Sequence, residues 1–203
     1  MTGTTNREKN SLILSFIDKM RERGSWSGET HIQKAMYFLQ HLAGVPMKFQ
    51  FILYKHGPFS FDFRDELTVM QGDGLLEYEA RPFPYGPSLR PTELGKKIKS
   101  HYPDTVNRYK TQIEFIARHL GDKSVVELER MGTALYVTLL NNNTQDQQSR
   151  AQTITRLKRH IGFDDALFAV QKVDEMRRDY EQILGTPYGA NQKVSSRISG
   201  VSM

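Results

Sequence analysis

Three observations predict a mainly α fold (α+β) for this chain. Apolar residues recur at helical spacing through most of the sequence, beginning with Ile13, Phe16 and Met20. One short stretch, 49-FQFILY-54, is instead β-branched and aromatic, as strands are. Two further short segments, residues 75–79 and 88–91, flank a proline-rich tip and have the pattern of a β-hairpin.

Two helices are predicted before the first strand. The first spans residues 7–23 and stops at Gly24. The second spans residues 29–43, with Ser27 as its predicted N-cap and Gly44 as its end. Its apolar side chains fall on one stripe, which predicts burial of Ile32, Ala35, Met36, Leu39 and Leu42.

The stretch 54-YKHGPFSFDFRDEL-67 links the predicted strand to a third helix. Pro58 fixes its own φ and disfavours helical geometry at Gly57, so the strand cannot run directly into a helix. We therefore expect GPFS to form an elbow, with its aromatic residues in the core and Ser60 or Asp62 capping the helix. Phe63, Leu67 and Met70 recur at helical spacing before 72-GDG-74 ends that helix.

The hairpin and a short basic helix complete the first half. Thr92 is the predicted cap of the helix that carries Lys96, Lys97 and Lys99. The order helix, helix, strand, helix, hairpin is typical of a winged-helix domain, with the hairpin as its wing. We predict a winged-helix-like domain over residues 1–102.

The second half predicts only helices, in a helical domain or bundle over residues 103–184. One helix is expected over residues 105–120, and Ser124 with Glu127 forms a capping box for the next. A polar break at 141–149 precedes helices at about 150–160 and 164–184. The pattern then dissolves, so residues 185–203 are predicted to be a flexible tail.

Composition excludes several classes of function. The 203 residues include no cysteine, which rules out disulfides, zinc–thiolate sites and thiol nucleophiles. No apolar run is long enough for a membrane helix, and the N-terminus lacks a signal-peptide pattern, so we expect a cytoplasmic protein with no membrane partner. The net charge of +5 is spread over both halves, which permits nucleic-acid binding without demanding it.

No motif indicates an enzyme. The sequence has no phosphate-binding loop, no GxSxG nucleophile turn and no HExxH metal pair, so neither a cofactor nor a metal site is predicted. His56, beside Asp62 and Asp65, is the strongest catalytic candidate. A general base needs a partner within hydrogen-bond reach, which spacing alone does not supply, so we favour a histidine that braces the elbow.

Several segments resemble those of YwgA-like bacterial proteins and, more distantly, the Panacea domain of antitoxins. The matching segments are THIQKAMYFLQ, YKHGPFS, DELTVMQGDGLLEYE, LRPTELGKKI and VELERMGTALYVTLL. The resemblance implies a winged-helix-like domain with a helical extension and no catalytic motif. In the toxin–antitoxin system of the DNA-modifying toxin DarT, a YwgA-like portion forms the C-terminal part of the antitoxin DarG, which implies a partner-binding role.

Two surfaces are candidates for partner binding. The hairpin tip carries Phe83 and Tyr85 between prolines, and stiffened aromatic side chains lose little entropy when they dock on a protein. The tip also suits stacking on single-stranded bases, or packing on the domain's own surface. The exposed side of the third helix, which includes Arg64, is the second surface.

Nucleic-acid binding is the alternative. The third helix, which enters the major groove in many winged-helix proteins, carries Arg64 against three carboxylates and would repel phosphates. A wing-first contact remains open, because basic residues lie on the wing, after it and near residue 158. The candidates for phosphate contact are Arg81, Arg90, Lys96, Lys97, Lys99, Arg156 and Arg159. On helices, Lys96 and Lys99 would share one face, as would Arg156 and Arg159.

The sequence thus predicts a non-enzymatic binding module, a regulatory or antitoxin-like adaptor that contacts a protein partner such as a toxin or another neighbouring gene product. The alternative is a winged-helix DNA-binding regulator that uses the basic wing. An enzyme with a site around His56 comes third. A homodimer, assembled through the second-half helices, is open by analogy with other winged-helix regulators.

Overall fold

The computed structural model describes residues 5–83, 86–140 and 146–185. Helices predominate in these ranges, which confirms the mainly α class. The elements of the first half are α1 (Asn6–Glu22), α2 (Glu29–His41), β1 (Ile52–Tyr54), β2 (Gly57–Phe59), α3 (Phe61–Gly72), β3 (Leu76–Glu79), β4 (Ser88–Pro91) and α4 (Glu93–Ser100). Those of the second half are α5 (Pro103–Arg108), α6 (Lys110–Leu120), α7 (Val125–Leu140), α8 (Gln147–Leu157) and α9 (Phe163–Leu184).

The first two helices bury the predicted stripes, but the start of α2 differs from the prediction. Gly28, not Ser27, is its N-cap. Ser27 instead adopts a positive φ of 48° and its carbonyl oxygen accepts a hydrogen bond of 2.9 Å from the backbone N–H of Leu89. The segment before α2 is therefore held by the β3–β4 hairpin, a contact that local capping preferences cannot reveal.

The stretch HGPFS is a strand where we predicted a bare elbow. Gly57–Phe59 pairs antiparallel with Ile52–Tyr54, which is shorter than the predicted strand over 49–54. Lys55 and His56 form the tip of this hairpin. Ser60 caps α3 as predicted, its hydroxyl oxygen accepting from the backbone N–H of Phe63 at 3.1 Å. Phe63 is buried, but Phe61 is exposed, so the aromatic residues are only partly core.

The predicted hairpin at 75–91 forms the second two-stranded sheet. Its register pairs Leu76 with Pro91 and Glu79 with Ser88. Thr92 then caps α4, its hydroxyl oxygen accepting from the backbone N–H of Gly95 at 3.0 Å. We call the β3–β4 hairpin with its tip, residues 76–91, the wing; Pro84 and Tyr85 in that tip lie outside the described residues.

The second half departs from the prediction at two helix boundaries. The single helix expected over 105–120 is two, because Tyr109 leaves helical geometry at φ −110° and ψ 12° between α5 and α6. The capping box of Ser124 and Glu127 is present before α7. Asp146 caps α8, which therefore begins and ends about three residues earlier than predicted. Of the predicted tail 185–203, only Gly185 lies in the described ranges; it ends α9.

Helices of both halves contribute to one apolar core. α2 packs on α3, on β2 and on α6 and α7, while α1 packs on α4, α5 and α6. α8 and α9 cover the remaining side of α7. The largest fully buried apolar side chains include Phe16, Tyr37, Phe38, Phe63 and Phe115. The predicted boundary at residue 102 falls between α4 and α5, and helices from either side of it meet in this core.

Candidate functional site

A groove of about 750 Å³ opens beside the wing. Its walls come from three places that are distant in sequence: the segment that leads into α2, the base of the wing, and the turn from α6 to α7. We call it the wing groove. The residues that line it are Gly24, Trp26, Gly28, Glu29, Thr30, His31, Tyr78, Gly86, Pro87, Gly121, Asp122, Lys123, Ser124, Val125 and Glu127.

A buried polar network fixes the three walls relative to one another. The Ser25 hydroxyl oxygen accepts a 2.9 Å hydrogen bond from the backbone N–H of Ser27, and it also contacts His31 Nδ1. His31 Nε2 lies 3.2 Å from the carbonyl oxygen of Leu120, at the end of α6. Burial lowers the pKa of His31, although the contact with Leu120 opposes this, so the ring is a neutral strut at neutral pH.

The walls of the groove expose large apolar side chains. Trp26 is 48% exposed, Tyr78 is 52% exposed and Val125 is 45% exposed. Phe83, in the wing tip three residues before Gly86, is 96% exposed, so it does not fold back onto the domain. Trp and Tyr are enriched among residues that dominate binding energy at protein interfaces, because they bury much area for few rotatable bonds.

The polar residues of the groove give it a negative charge. Three carboxylates line it, those of Glu29, Asp122 and Glu127, against the single ammonium of Lys123. Hydrogen bonds from the backbone and hydroxyl of Ser124 lower the pKa of Glu127, which keeps it ionised. Lys123 lies 2.9 Å from Asp122. The groove is therefore acidic on a chain whose net charge is positive.

The exposed side of α3 is polar and partly self-neutralised. The Arg64 guanidinium lies over the ring of Phe61 at 5.2 Å and 3.6 Å from Asp65. Glu66 faces α1 instead, where its carboxylate accepts from Lys9 at 2.6 Å. Arg64 is thus at the surface, as predicted, but it does not line the wing groove.

Carboxylates occupy most of the predicted phosphate-contacting cations of the wing. Arg90 lies 2.8 Å from Glu77, Arg81 lies 3.8 Å from Glu79, and Lys96 lies 2.6 Å from Glu93. Lys99 contacts Asp18 of α1, so it faces the core side and does not share an outer face with Lys96. Lys97 is exposed, and no ion pair involves it among the described residues.

The two predicted arginines near residue 158 do not share a helical face. Arg156 lies in the last turn of α8, where its guanidinium contacts Gln152 and Thr153. Arg159 lies beyond the helix, in the turn that follows, because α8 ends at Leu157. The structure therefore does not unite the predicted basic residues into one continuous surface.

His56 belongs to a charged cluster that the sequence did not reveal. Its Nδ1 lies 3.6 Å from a carboxylate oxygen of Glu129, and His160 Nε2 lies 2.9 Å from the other oxygen. Lys158 donates to the backbone carbonyl oxygens of Tyr54 and Lys55, and so holds the tip of the β1–β2 hairpin. The cluster braces the stretch YKHG against α7, the role we predicted for His56.

Lys34 lies beneath this cluster. Its side chain is almost wholly buried on α2, and its ammonium lies 5.8 Å from the centre of the Phe59 ring. Burial lowers the pKa of Lys34 to about 8, opposed by the charge of Glu129 and assisted by that of Lys158. None of the residues in this cluster lines the wing groove.

Neither a metal centre nor a membrane span is found in the described part of the chain. Its histidines, aspartates and glutamates nowhere converge in groups of three that would hold a metal ion. Across those residues, every helix is too short or too polar to cross a bilayer.

Comparisons with known proteins assign no family to this chain. No protein-family model matches it. A search of curated proteins finds no significant match either. The function must therefore be inferred from the geometry of the site.

Trp26 and Tyr78 are the site residues that the sequence analysis missed. Trp26 is the only tryptophan of the chain and stands in a short connection between two helices, where a core residue is not expected. Tyr78 alternates with glutamates in 77-EYE-79, which places it on one face of the wing. Both signals were in the sequence, but their convergence depends on the packing of the wing.

Proposed function

We propose that this protein is a non-enzymatic binding module that takes an apolar segment of a protein partner into the wing groove. The observation that carries the proposal is the exposure of Trp26 and Tyr78 in the walls of a 750 Å³ groove. Solvated aromatic side chains that line a concave surface gain more from a partner than from water, since docking buries their area.

The partner's segment would lie between the wing and the turn from α6 to α7. The struts through Ser25 and His31 hold the walls in place before binding, which lowers the entropy lost on association. Phe83 extends the same surface outward at the tip of the wing. A winged-helix-like scaffold for residues 1–102, a YwgA-like ancestry and a cytoplasmic location belong to this proposal as predictions. An antitoxin-like adaptor is one form of the function.

DNA binding has less support. Four of its seven candidate cations, Arg81, Arg90, Lys96 and Lys99, already face carboxylates at ion-pair distance. Such pairs reduce the charge available for phosphates, whose neutralisation supplies most non-specific affinity.

Site-specific photo-crosslinking tests the proposal. A benzophenone amino acid placed at Phe83 or Tyr78 in the source cells captures whatever contacts the wing, and mass spectrometry identifies the adduct. Phe168, exposed on α9 and remote from the groove lining, is the matched control position. We expect both wing positions to capture one protein that Phe168 does not.

The captured protein is then purified and titrated into the chain. The emission of Trp26, the only tryptophan, reports binding without a label if the partner lacks tryptophan; otherwise calorimetry replaces it. We expect Tyr78→Ala to weaken affinity by about tenfold or more, as for interface hot spots, and Phe168→Ala to change it by less than about twofold. Equal losses at the two positions, or none at Tyr78, would contradict the proposal. Arg64→Ala reports separately whether α3 contributes.

A further inference from the structure

The chain itself carries a segment whose chemistry suits the wing groove. Residues 186–203 contain two basic residues, Lys193 and Arg197, and neither aspartate nor glutamate. Val194, Ile198 and Val201 follow at spacings of four and three, which places them on one face if the segment turns helically. The segment thus combines an apolar face with positive charge.

The groove offers the complementary surface. Its apolar walls are Trp26, Tyr78 and Val125, and its carboxylates outnumber its one ammonium. Glu29 makes no ion pair among the described residues and stands at the start of α2 beside Trp26. Opposite charges placed around an apolar contact favour one orientation of the docked segment and penalise acidic competitors.

The segment starts within reach of the groove. On α9, the carboxylate of Asp179 lies 3.6 Å from Nε2 of His119, and His119 is two residues before Gly121 in the groove lining. From Asp179 to Gly185 the helix rises by about 9 Å. The eighteen residues that follow Gly185 span up to about 60 Å when extended, several times the distance required.

We propose that residues 186–203 dock in the wing groove and compete there with the partner segment. Lys193 and Arg197 would face the groove carboxylates, while Val194, Ile198 and Val201 would cover Trp26 and Tyr78. This inference rests on the proposed function for its consequence, because an occupied groove admits a partner only after the segment leaves. A tethered segment acts at a high effective concentration, so even weak docking raises the partner's apparent Kd.

Contact quenching by tryptophan tests the docking directly. Because the chain has no cysteine, Ser199→Cys gives the full-length protein a single site for a bimane dye, whose emission is lost on contact with tryptophan. Trp26 is the only tryptophan. We expect weaker emission from the label at position 199 than from the same label at Gln152→Cys, an exposed site on α8. Trp26→Phe should abolish the difference.

Charge reversal gives the second arm. Lys193→Glu with Arg197→Glu in the labelled chain should restore emission and increase affinity for the crosslinked partner. Ser195→Cys, as a second label position, controls for local effects of the dye. Emission at positions 199 and 195 that equals the Gln152 control, or that is unchanged by Trp26→Phe, overturns the docking. If Tyr78→Ala still weakens partner binding, the proposed function survives that result. Quenching together with partner binding that ignores Tyr78→Ala would keep the docking and reject the proposed function.

Discussion

Arg150 and Asp174 form a two-pronged ion pair that joins α8 to α9. Nη1 of Arg150 lies 2.8 Å from Oδ1 of Asp174, and Nη2 lies 2.6 Å from Oδ2. The exposed fractions of the two side chains are only 6% and 14%. Arg150 also donates to the hydroxyl of Thr138 at 2.9 Å, which ties α7 to the same point. One guanidinium therefore connects the three helices that cover the second half of the core.

Removal of one partner from this pair should be strongly destabilising. In Asp174→Leu the guanidinium stays buried without its counter-charge, so we expect the free energy of unfolding to fall by about 3 to 5 kcal/mol in urea titrations. Arg150→Met combined with Asp174→Leu should recover much of that loss. The control is Glu175→Ala, which breaks an exposed pair with Lys172 and should change stability by less than about 1 kcal/mol. A similar small effect for Asp174→Leu would show that the ion pair does not hold the helices together.

The sequence predicted the elements whose signals are local. The cap at Ser60, the box of Ser124 and Glu127, and the stripe that includes Phe63 depend on residues within one or two helical turns. The pairing of HGPF with Ile52–Tyr54 was missed because a three-residue strand gives almost no periodicity. Ser27 failed as a cap because the distant wing claims its carbonyl oxygen.

The site was predictable only in part, for the same reason. Phe83 was identified because a proline-rich hairpin tip exposes its side chains wherever the hairpin packs. The groove walls come from near residues 26, 78 and 125, and sequence spacing contains no record of their proximity. The ion pairs of Arg90 and Lys99 likewise join separate elements, which is why charges that looked available for phosphates are already neutralised.

Gly57 should tolerate no side chain. Its φ is +86°, and a Cβ there would lie 3.3 Å from the backbone carbonyl oxygen of Glu129. Gly57→Ala therefore combines backbone strain with a close contact against α7, and we expect a loss of about 1 to 3 kcal/mol in the free energy of unfolding. Gly72→Ala is the matched control, since Gly72 is helical and a Cβ added there would meet no atom of another element within 4 Å. Equal stability of the two variants would show that the HGPF turn is not tightly docked.

Lys34 should make stability depend on pH in the alkaline range. Burial lowers its pKa from 10.5 to about 8, so the unfolded chain binds more protons between these values and stability rises with pH. We expect the free energy of unfolding to increase by about 2 kcal/mol from pH 7 to pH 9.5. The lowered pKa of Lys158 acts in the same direction, and the raised pKa values of Tyr136 and Tyr180 have no effect below pH 10.

Lys34→Met isolates this contribution. The variant should be more stable than the parent at pH 7, and its free energy of unfolding should change less between pH 7 and pH 9.5. Urea titrations at half-unit pH steps measure both quantities. Lys97→Met, on the exposed face of α4, controls for the loss of a positive charge. A Lys34→Met curve parallel to that of the parent would show that the buried ammonium titrates normally.

The exposed cations Lys97 and Arg159 provide the most direct test of the DNA-binding alternative, because neither forms an ion pair among the described residues. We expect Lys97→Glu with Arg159→Glu to change affinity for a generic DNA duplex by less than about twofold at 150 mM salt. Fluorescence anisotropy over a salt series measures both the affinity and its slope. If the chain acts on DNA through these residues, the variant will instead lose about tenfold or more, and the slope of log K against log salt will flatten by about two phosphate contacts. Tyr78→Ala, which leaves every cation in place, should not affect DNA binding under either interpretation, so it separates the groove from the basic surface.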